Sequence, residues 1–237
     1  MKKVIEELLP LEREWFIALN GSESVWMDNL MWTVTGRFVW FPLFLLLLFF
    51  FFYKVPRKEA FLTVVFFILL VVLCDQVSSG FLKPLFQRLR PTHHPDFQYL
   101  VDIVNDYRGG RYGFVSGHAT NSFGMATFLA LLYKSRLITF TTLFWAALNS
   151  YSRIYLGVHF ISDIIGGLVL GCLLAFCLFV LFRYLRRKWL FQKVPALLSE
   201  QNQPFYYHEN SNILAACMIA YIGIVAIFSP LLSTLPH

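Results

Sequence analysis

Long apolar runs separated by short polar stretches set the rhythm of this chain. A bilayer-spanning helix needs about 20 mostly apolar residues, and six runs approach or reach that length. They lie at roughly 32–53, 60–81, 118–133, 137–155, 161–182 and 213–232. The first contains LFLLLLFFFFY, which has no polar face and predicts lipid-facing structure without chemistry. A polar segment, 83–115, separates the second run from the third. Ahead of the first run, Ile5, Leu8, Leu9, Trp15, Phe16 and Leu19 recur at roughly helical spacing among Glu6, Glu7, Glu12 and Glu14. That pattern predicts a short amphipathic helix, lying at the membrane interface or capping the bundle. The expected architecture is all-α: one membrane domain over 1–237, with about six transmembrane helices and a short N-terminal interfacial helix.

Composition strengthens this reading. Of 237 residues, 57% are hydrophobic and only 14% charged, against about 25% charged in an ordinary soluble domain. Mean hydropathy is +0.59. The glutamate-rich start lacks the continuous apolar core of a secretory signal. The four cysteines, at 74, 172, 177 and 217, all fall in apolar runs without a CxxC pair. They read as small packing residues, not as disulfides or metal ligands.

The net charge of +6 is explained better by membrane topology than by a nucleic-acid partner, and none is expected. Six spans place both termini on one face, together with 83–115 and the turn at 157–160. The opposite face collects Lys54, Arg57, Lys58, Lys134, Arg136, Arg183, Arg186, Arg187, Lys188 and Lys193, against Glu59, Glu200 and Glu209. The positive-inside rule makes that face cytoplasmic. The polar segment then faces outward.

Ionisable residues are costly near a bilayer, and three groups of them fall on the outward face. KPLFQRLRP carries Lys83 and Arg90 with six residues between them, and Pro91 stiffens the exit. Arg offers a fork that matches phosphate oxygens and Lys a compact charge. Taken alone, the stretch also fits a basic cluster touching lipid headgroups. VSGH, 115–118, opens the third run. Ser116 and Gly117 there put free N–H groups at a helix start, an anion site, and His118 is an acid or base near neutral pH. SRIYLGVHFISD, 152–163, holds Arg153, His159 and Asp163. His159 and Asp163 share a helical face, and a carboxylate behind an imidazole fixes its tautomer and raises its basicity. The three groups suit a phosphate clamp around a histidine nucleophile.

In order and spacing, Lys83-x6-Arg90-Pro91, Ser116-Gly117-His118 and Ser152-Arg153-x5-His159-x3-Asp163 resemble the three-part signature of the type-2 phosphatidic acid phosphatase superfamily. The resemblance covers about residues 60–182. Val115 stands where that signature usually has proline. The resemblance implies that His159 attacks phosphorus, Asp163 orients it, and His118 serves as general acid and then base. Lys83, Arg90, Ser116, Gly117 and Arg153 would hold the phosphoryl oxygens, with no cofactor and no metal. Asp75, inside the second run, is a candidate to steady Lys83 or Arg90, or to bond Gln76, Ser78 or Ser79. His93, His94 and Asp96 look like a fragment of a metal site but lie in a loop.

The expected activity is metal-independent hydrolysis of a lipid phosphate or pyrophosphate. The resemblance offers undecaprenyl pyrophosphate, lipid A phosphate, phosphatidylglycerol phosphate and phosphatidic acid as substrates. Transfer of the phosphoryl group to another lipid is the alternative on the same site. A transporter is disfavoured, because the polar residues gather at one face and form no track across the membrane. A non-catalytic lipid-binding protein would have no need of His118, His159 and Asp163 together. The expected location is a bacterial inner (cytoplasmic) membrane, with the site facing the periplasm or exterior.

Overall fold

In the computed structural model, residues 7–190, 206 and 208–235 are described. Among them all regular structure is helical, apart from a single antiparallel bridge between Leu89 and Tyr112. In chain order the helices are α1 (Leu9–Leu19), α2 (Val25–Thr35), α3 (Phe41–Phe52), α4 (Arg57–Asp75), α5 (Lys83–Phe86), α6 (Gly117–Tyr133), α7 (Arg136–Tyr155), α8 (Ile161–Leu190), α9 (His208–Ile227) and α10 (Ser229–Leu232). Helix stands at every one of the six predicted runs. Three stretches are long and apolar enough to cross a membrane: Arg57–Phe86, Ile161–Trp189 and Asn210–Ile227. The pair Val25–Thr35 and Phe38–Phe52, bent by 73°, makes a fourth if it is one span. The protein is a multi-pass membrane protein.

The first run is therefore not one straight helix. Gly36 leaves α2 in an extended conformation, and Pro42 fits only the first turn of a new helix. Nor is α3 purely lipid-facing. Leu43, Leu47, Phe50 and Phe51 are buried, and Phe44 reaches the central cavity.

Helices α6 and α7 sit inside the bundle, with most of their residues buried. Several of their hydroxyls bond back to their own helix, which satisfies polar groups held away from water. Thr120 donates to the Ser116 carbonyl at 2.9 Å, Ser122 to that of His118 at 2.8 Å and Thr142 to that of Ile138 at 2.8 Å. α6 packs most extensively on α8. The approach is close because Gly171 has no side chain: a Cβ there would lie 2.3 Å from the Thr120 carbonyl oxygen. α8 in turn shows Ile165, Val169, Leu173, Phe176 and Val180 outward, a stripe suited to lipid.

At one end of the bundle Glu59 on α4 pairs with Arg186 on α8 at 2.5 Å. At the other end α1 docks differently from the expectation of a glutamate-rich polar face. Leu9, Glu12 and Phe16 are buried, while Leu11 and Trp15 face outward. Of the cysteines Cys74 is buried, Cys172 and Cys217 are half-buried and Cys177 is exposed. Ile5, Glu6, Lys193 and Glu200, used in the sequence argument, lie outside the described residues.

Candidate active site

The three sequence groups converge on one cavity of about 620 Å³, whose walls include Lys83, Arg90, Gly117, His118, Arg153 and His159. Each reaches it by a local device. α4 does not end at Asp75 but widens into a π-helical segment, Gln76–Leu82, before α5 begins at Lys83. Such bulges shift the register of a helix and gather at functional sites. Here Lys83 is brought within 3.3 Å of the Ser79 hydroxyl.

Arg90 is held by the Leu89–Tyr112 bridge. Its backbone N–H donates to the Arg111 carbonyl at 3.1 Å and its Nε to the Tyr112 carbonyl at 3.1 Å. Its Nη1 is buried without a partner among the described residues. Burial, and then Arg153, push the Arg90 pKa down to about 10. It stays charged at neutral pH, with the cations Lys83 and Arg153 beside it.

His159 sits between α7 and α8 on a turn that Gly157 makes possible with φ +68°. The N–H groups of Val158 and His159 both donate to the Arg153 carbonyl, at 3.1 and 3.2 Å. The turn therefore fixes Arg153 and His159 relative to one another. Asp163 occupies the first turn of α8, where its Oδ2 accepts the Phe160 backbone N–H at 3.1 Å. This is the reach-back of a capping box, and the same oxygen lies 3.2 Å from His159 Nδ1. With Nδ1–H donated to Asp163, Nε2 is the ring nitrogen left for chemistry. Burial, followed by Arg90, Arg153 and Lys83, holds His159 well below the usual imidazole range, so it is neutral.

His159 itself is only 1% exposed. His118 enters the cavity from the first turn of α6 and is tied by a hydrogen bond to the Thr35 backbone. Ser116 is fully buried, and its hydroxyl caps α6 by accepting the Ala119 N–H at 3.4 Å. Its own N–H donates to the Asp163 carbonyl at 3.0 Å, joining the second and third groups. Asp75 lies on the cavity wall and makes no ion pair with Lys83 or Arg90. Ser78 donates to its backbone carbonyl at 3.3 Å. His94 Nδ1 lies 3.9 Å from Asp96 Oδ2, away from the cavity walls.

Four residues join the site that the sequence motifs did not mark. Arg88, fully buried, donates to Asp163 Oδ1 at 2.8 Å, to the Ser162 hydroxyl at 2.5 Å and to Glu12 at 2.5 Å. Glu12 also accepts the Ser162 N–H and hydroxyl, each at 2.8 Å. Its charge thus lies on the positive end of α8. Arg153 donates to the Thr35 hydroxyl at 2.5 Å and to the Tyr107 hydroxyl at 3.2 Å. Burial raises the Tyr107 pKa, but Arg153, together with Arg90 and Arg37, makes the net shift downward. A signal for Arg88 was present: it stands two residues before Arg90, and extended chain puts such pairs on one side. Glu12 and Thr35 left none, because only the folded chain brings them here.

Comparison with known proteins follows the same lines. A family model described as PAP2 superfamily matches residues 60–188. A lipid A 4′-phosphatase of Porphyromonas gingivalis is 42% identical over 192 residues, 81% of either chain. One of Bacteroides thetaiotaomicron is 37% identical over 169 residues, 71% of this chain and 75% of that one. Among solved structures, a PAP2-type phosphatidylglycerolphosphate phosphatase from Bacillus subtilis superposes with a TM-score of 0.57 at 23% identity, covering 76% of this chain and 89% of that one. LpxE of Aquifex aeolicus gives 0.52 at 26%, covering 72% and 95%.

Proposed function

The chain belongs to the PAP2 superfamily, and from that premise we propose that this membrane lipid phosphatase removes the 4′-phosphate of lipid A through a phospho-histidine at His159. The observation that carries the chemistry is the buried His159–Asp163 pair facing three cations in one cavity. The choice of lipid A rests on the two relatives named for that activity, 42% and 37% identical to this chain.

The steps follow from the positions of the side chains. Phosphoryl transfer asks mainly for positioning and charge stabilisation. Lys83, Arg90 and Arg153 take the phosphoryl oxygens, with the N–H groups at the start of α6 beside them. The lone pair of His159 Nε2 forms a bond to phosphorus as the bond from phosphorus to the sugar oxygen breaks. His118 gives its proton to that oxygen, and the dephosphorylated lipid leaves. Asp163 accepts the Nδ1–H and stabilises the positive charge on the phosphorylated ring. His118 then takes a proton from water, whose oxygen attacks phosphorus. The phosphorus–nitrogen bond breaks, inorganic phosphate leaves and His159 is neutral again. Ser116 acts by capping α6 and tying it to Asp163. The basic residues of the opposite face support a reading in which the cavity opens on the outer side of a bacterial inner membrane.

The test is incubation of the purified protein in detergent with lipid A and excess EDTA. Phosphate release is measured, and mass spectrometry locates the lost group. Loss of the 4′-phosphate is expected. No release from lipid A, or release only from the 1-position, would overturn the substrate assignment.

A further inference from the structure

Below the phosphate clamp the cavity wall changes character in order. His118 and Arg153 mark the clamp level. Asn121 follows His118 by three residues on α6, so it lies about 4.5 Å deeper. Asn149 precedes Arg153 by four residues on α7, about 6 Å deeper, and Trp145 by eight, about 12 Å deeper. All three line the cavity, as does Gln76 on the facing π-helical segment. Past them the lining is Phe44, Val71 and Val72. The sequence from clamp to depth is thus cationic, then neutral and polar, then apolar.

The middle layer has unused hydrogen-bonding capacity. Asn121 Oδ1 is buried with no partner among the described residues. The same holds for the indole N–H of Trp145, a residue only 5% exposed. By contrast the neighbouring Trp40 donates its N–H to the Val34 carbonyl at 2.8 Å. Buried polar groups left without partners are destabilising, so an acceptor and a donor kept free in one cavity wall point to a ligand that pairs with both. Charge narrows the class. The cations of the lining, Arg37, Lys83, Arg90 and Arg153, belong to the clamp level, while Asp75 is the ionisable group below it. A second phosphate in the middle layer would meet a carboxylate there. A bare isoprenoid or hydrocarbon would leave Asn121 and Trp145 unpaired.

We infer that Asn121 and Trp145, with Asn149 and Gln76 beside them, form a leaving-group subsite that reads the neutral hydroxyl and amide groups of a sugar ring between the phosphate and the acyl chains. The inference rests on the lipid A reading above and deepens it. The order of groups in such a substrate matches the order of layers in the wall. Asn121 Oδ1 accepts a sugar hydroxyl, and the Trp145 N–H donates to a carbonyl or hydroxyl oxygen.

The test uses Asn121→Leu and Trp145→Phe in the full-length protein, with the thermal midpoint in detergent as a folding control. Two quantities are measured for each: kcat/KM for lipid A, and the inhibition constant of inorganic phosphate, which reports the clamp alone. A drop of about tenfold in kcat/KM per variant is expected, with phosphate inhibition changed less than threefold. Unchanged kcat/KM, or an equal change in both quantities, would overturn the subsite. If wild type itself releases no phosphate from lipid A, the functional reading fails and the sugar assignment falls with it. Wild-type turnover with unaffected variants sinks the subsite alone.

Discussion

Arg88 is the residue on which the charge balance of the site turns. It sits between two carboxylates, Glu12 and Asp163, with no exposed surface. Removing one partner of a buried ion pair destabilises by about 3–5 kcal/mol, because a charge is left without compensation. Arg88→Leu should therefore lower the thermal midpoint sharply. Glu12→Gln is the milder change, since the amide oxygen can still accept from Ser162. It should lower kcat about tenfold, the size usual when a group that orients a reacting residue is altered, with KM within twofold. Unchanged kcat in a folded Glu12→Gln protein would show that Asp163 does not depend on this network. The limits of the sequence are visible at the same residues. Lys83, Arg90, His118, Arg153, His159 and Asp163 stood out because charges are rare in such an apolar chain and their spacing carries a known signature. Glu12 looked like one more glutamate on a polar face, since it meets Arg88 only across 76 residues of chain. Ser116 was recognisable as a phosphate-site residue, but its role as a buried helix cap depended on how α6 meets α8.

The element that does most to aim a catalytic side chain is the π-helical segment Gln76–Leu82. An α-helical residue advances by about 100° around the axis, so one extra residue decides which way Lys83 points. The run 60–81 looked like a simple span because hydropathy does not distinguish π from α turns. Deleting Val77 should restore α geometry and rotate Lys83 off the cavity. The expected outcome is a protein with unchanged helical content by circular dichroism and activity reduced about 100-fold or more, as for a misplaced phosphate clamp. Activity within threefold of wild type would mean that the bulge is incidental. The break between α2 and α3 has the same character. Gly36 and Pro42 were visible in the sequence, but their effect was hidden inside a long apolar run. That break brings Thr35 to Arg153 and His118.

At the scale of the molecule, the fold places a cationic pocket at one end of an apolar bundle and the Glu59–Arg186 pair with most of the uncompensated basic residues at the other. If the charge bias sets topology, Tyr99, 89% exposed in the 83–115 segment, faces outward. A Tyr99→Cys protein in intact spheroplasts should react with a membrane-impermeant maleimide beyond the wild-type background. Labelling only after lysis would reverse the topology and put the site in the cytoplasm. The all-α membrane class was legible from apolar run lengths alone, whereas the docking of α1 through Glu12 and Phe16 was not. A buried glutamate in a helix start contradicts amphipathic spacing unless its cationic partner is already known.

The central claim is that His159 becomes the covalent carrier of the phosphoryl group, and trapping tests it most directly. The protein would be mixed with lipid A carrying a radiolabelled 4′-phosphate, quenched in alkali within milliseconds and digested for mass spectrometry. The account predicts label on the peptide containing His159, stable to base and lost in acid as a phosphoramidate should be, and absent from a folded His159→Gln protein. Label on His118, or full turnover by His159→Gln, would contradict it.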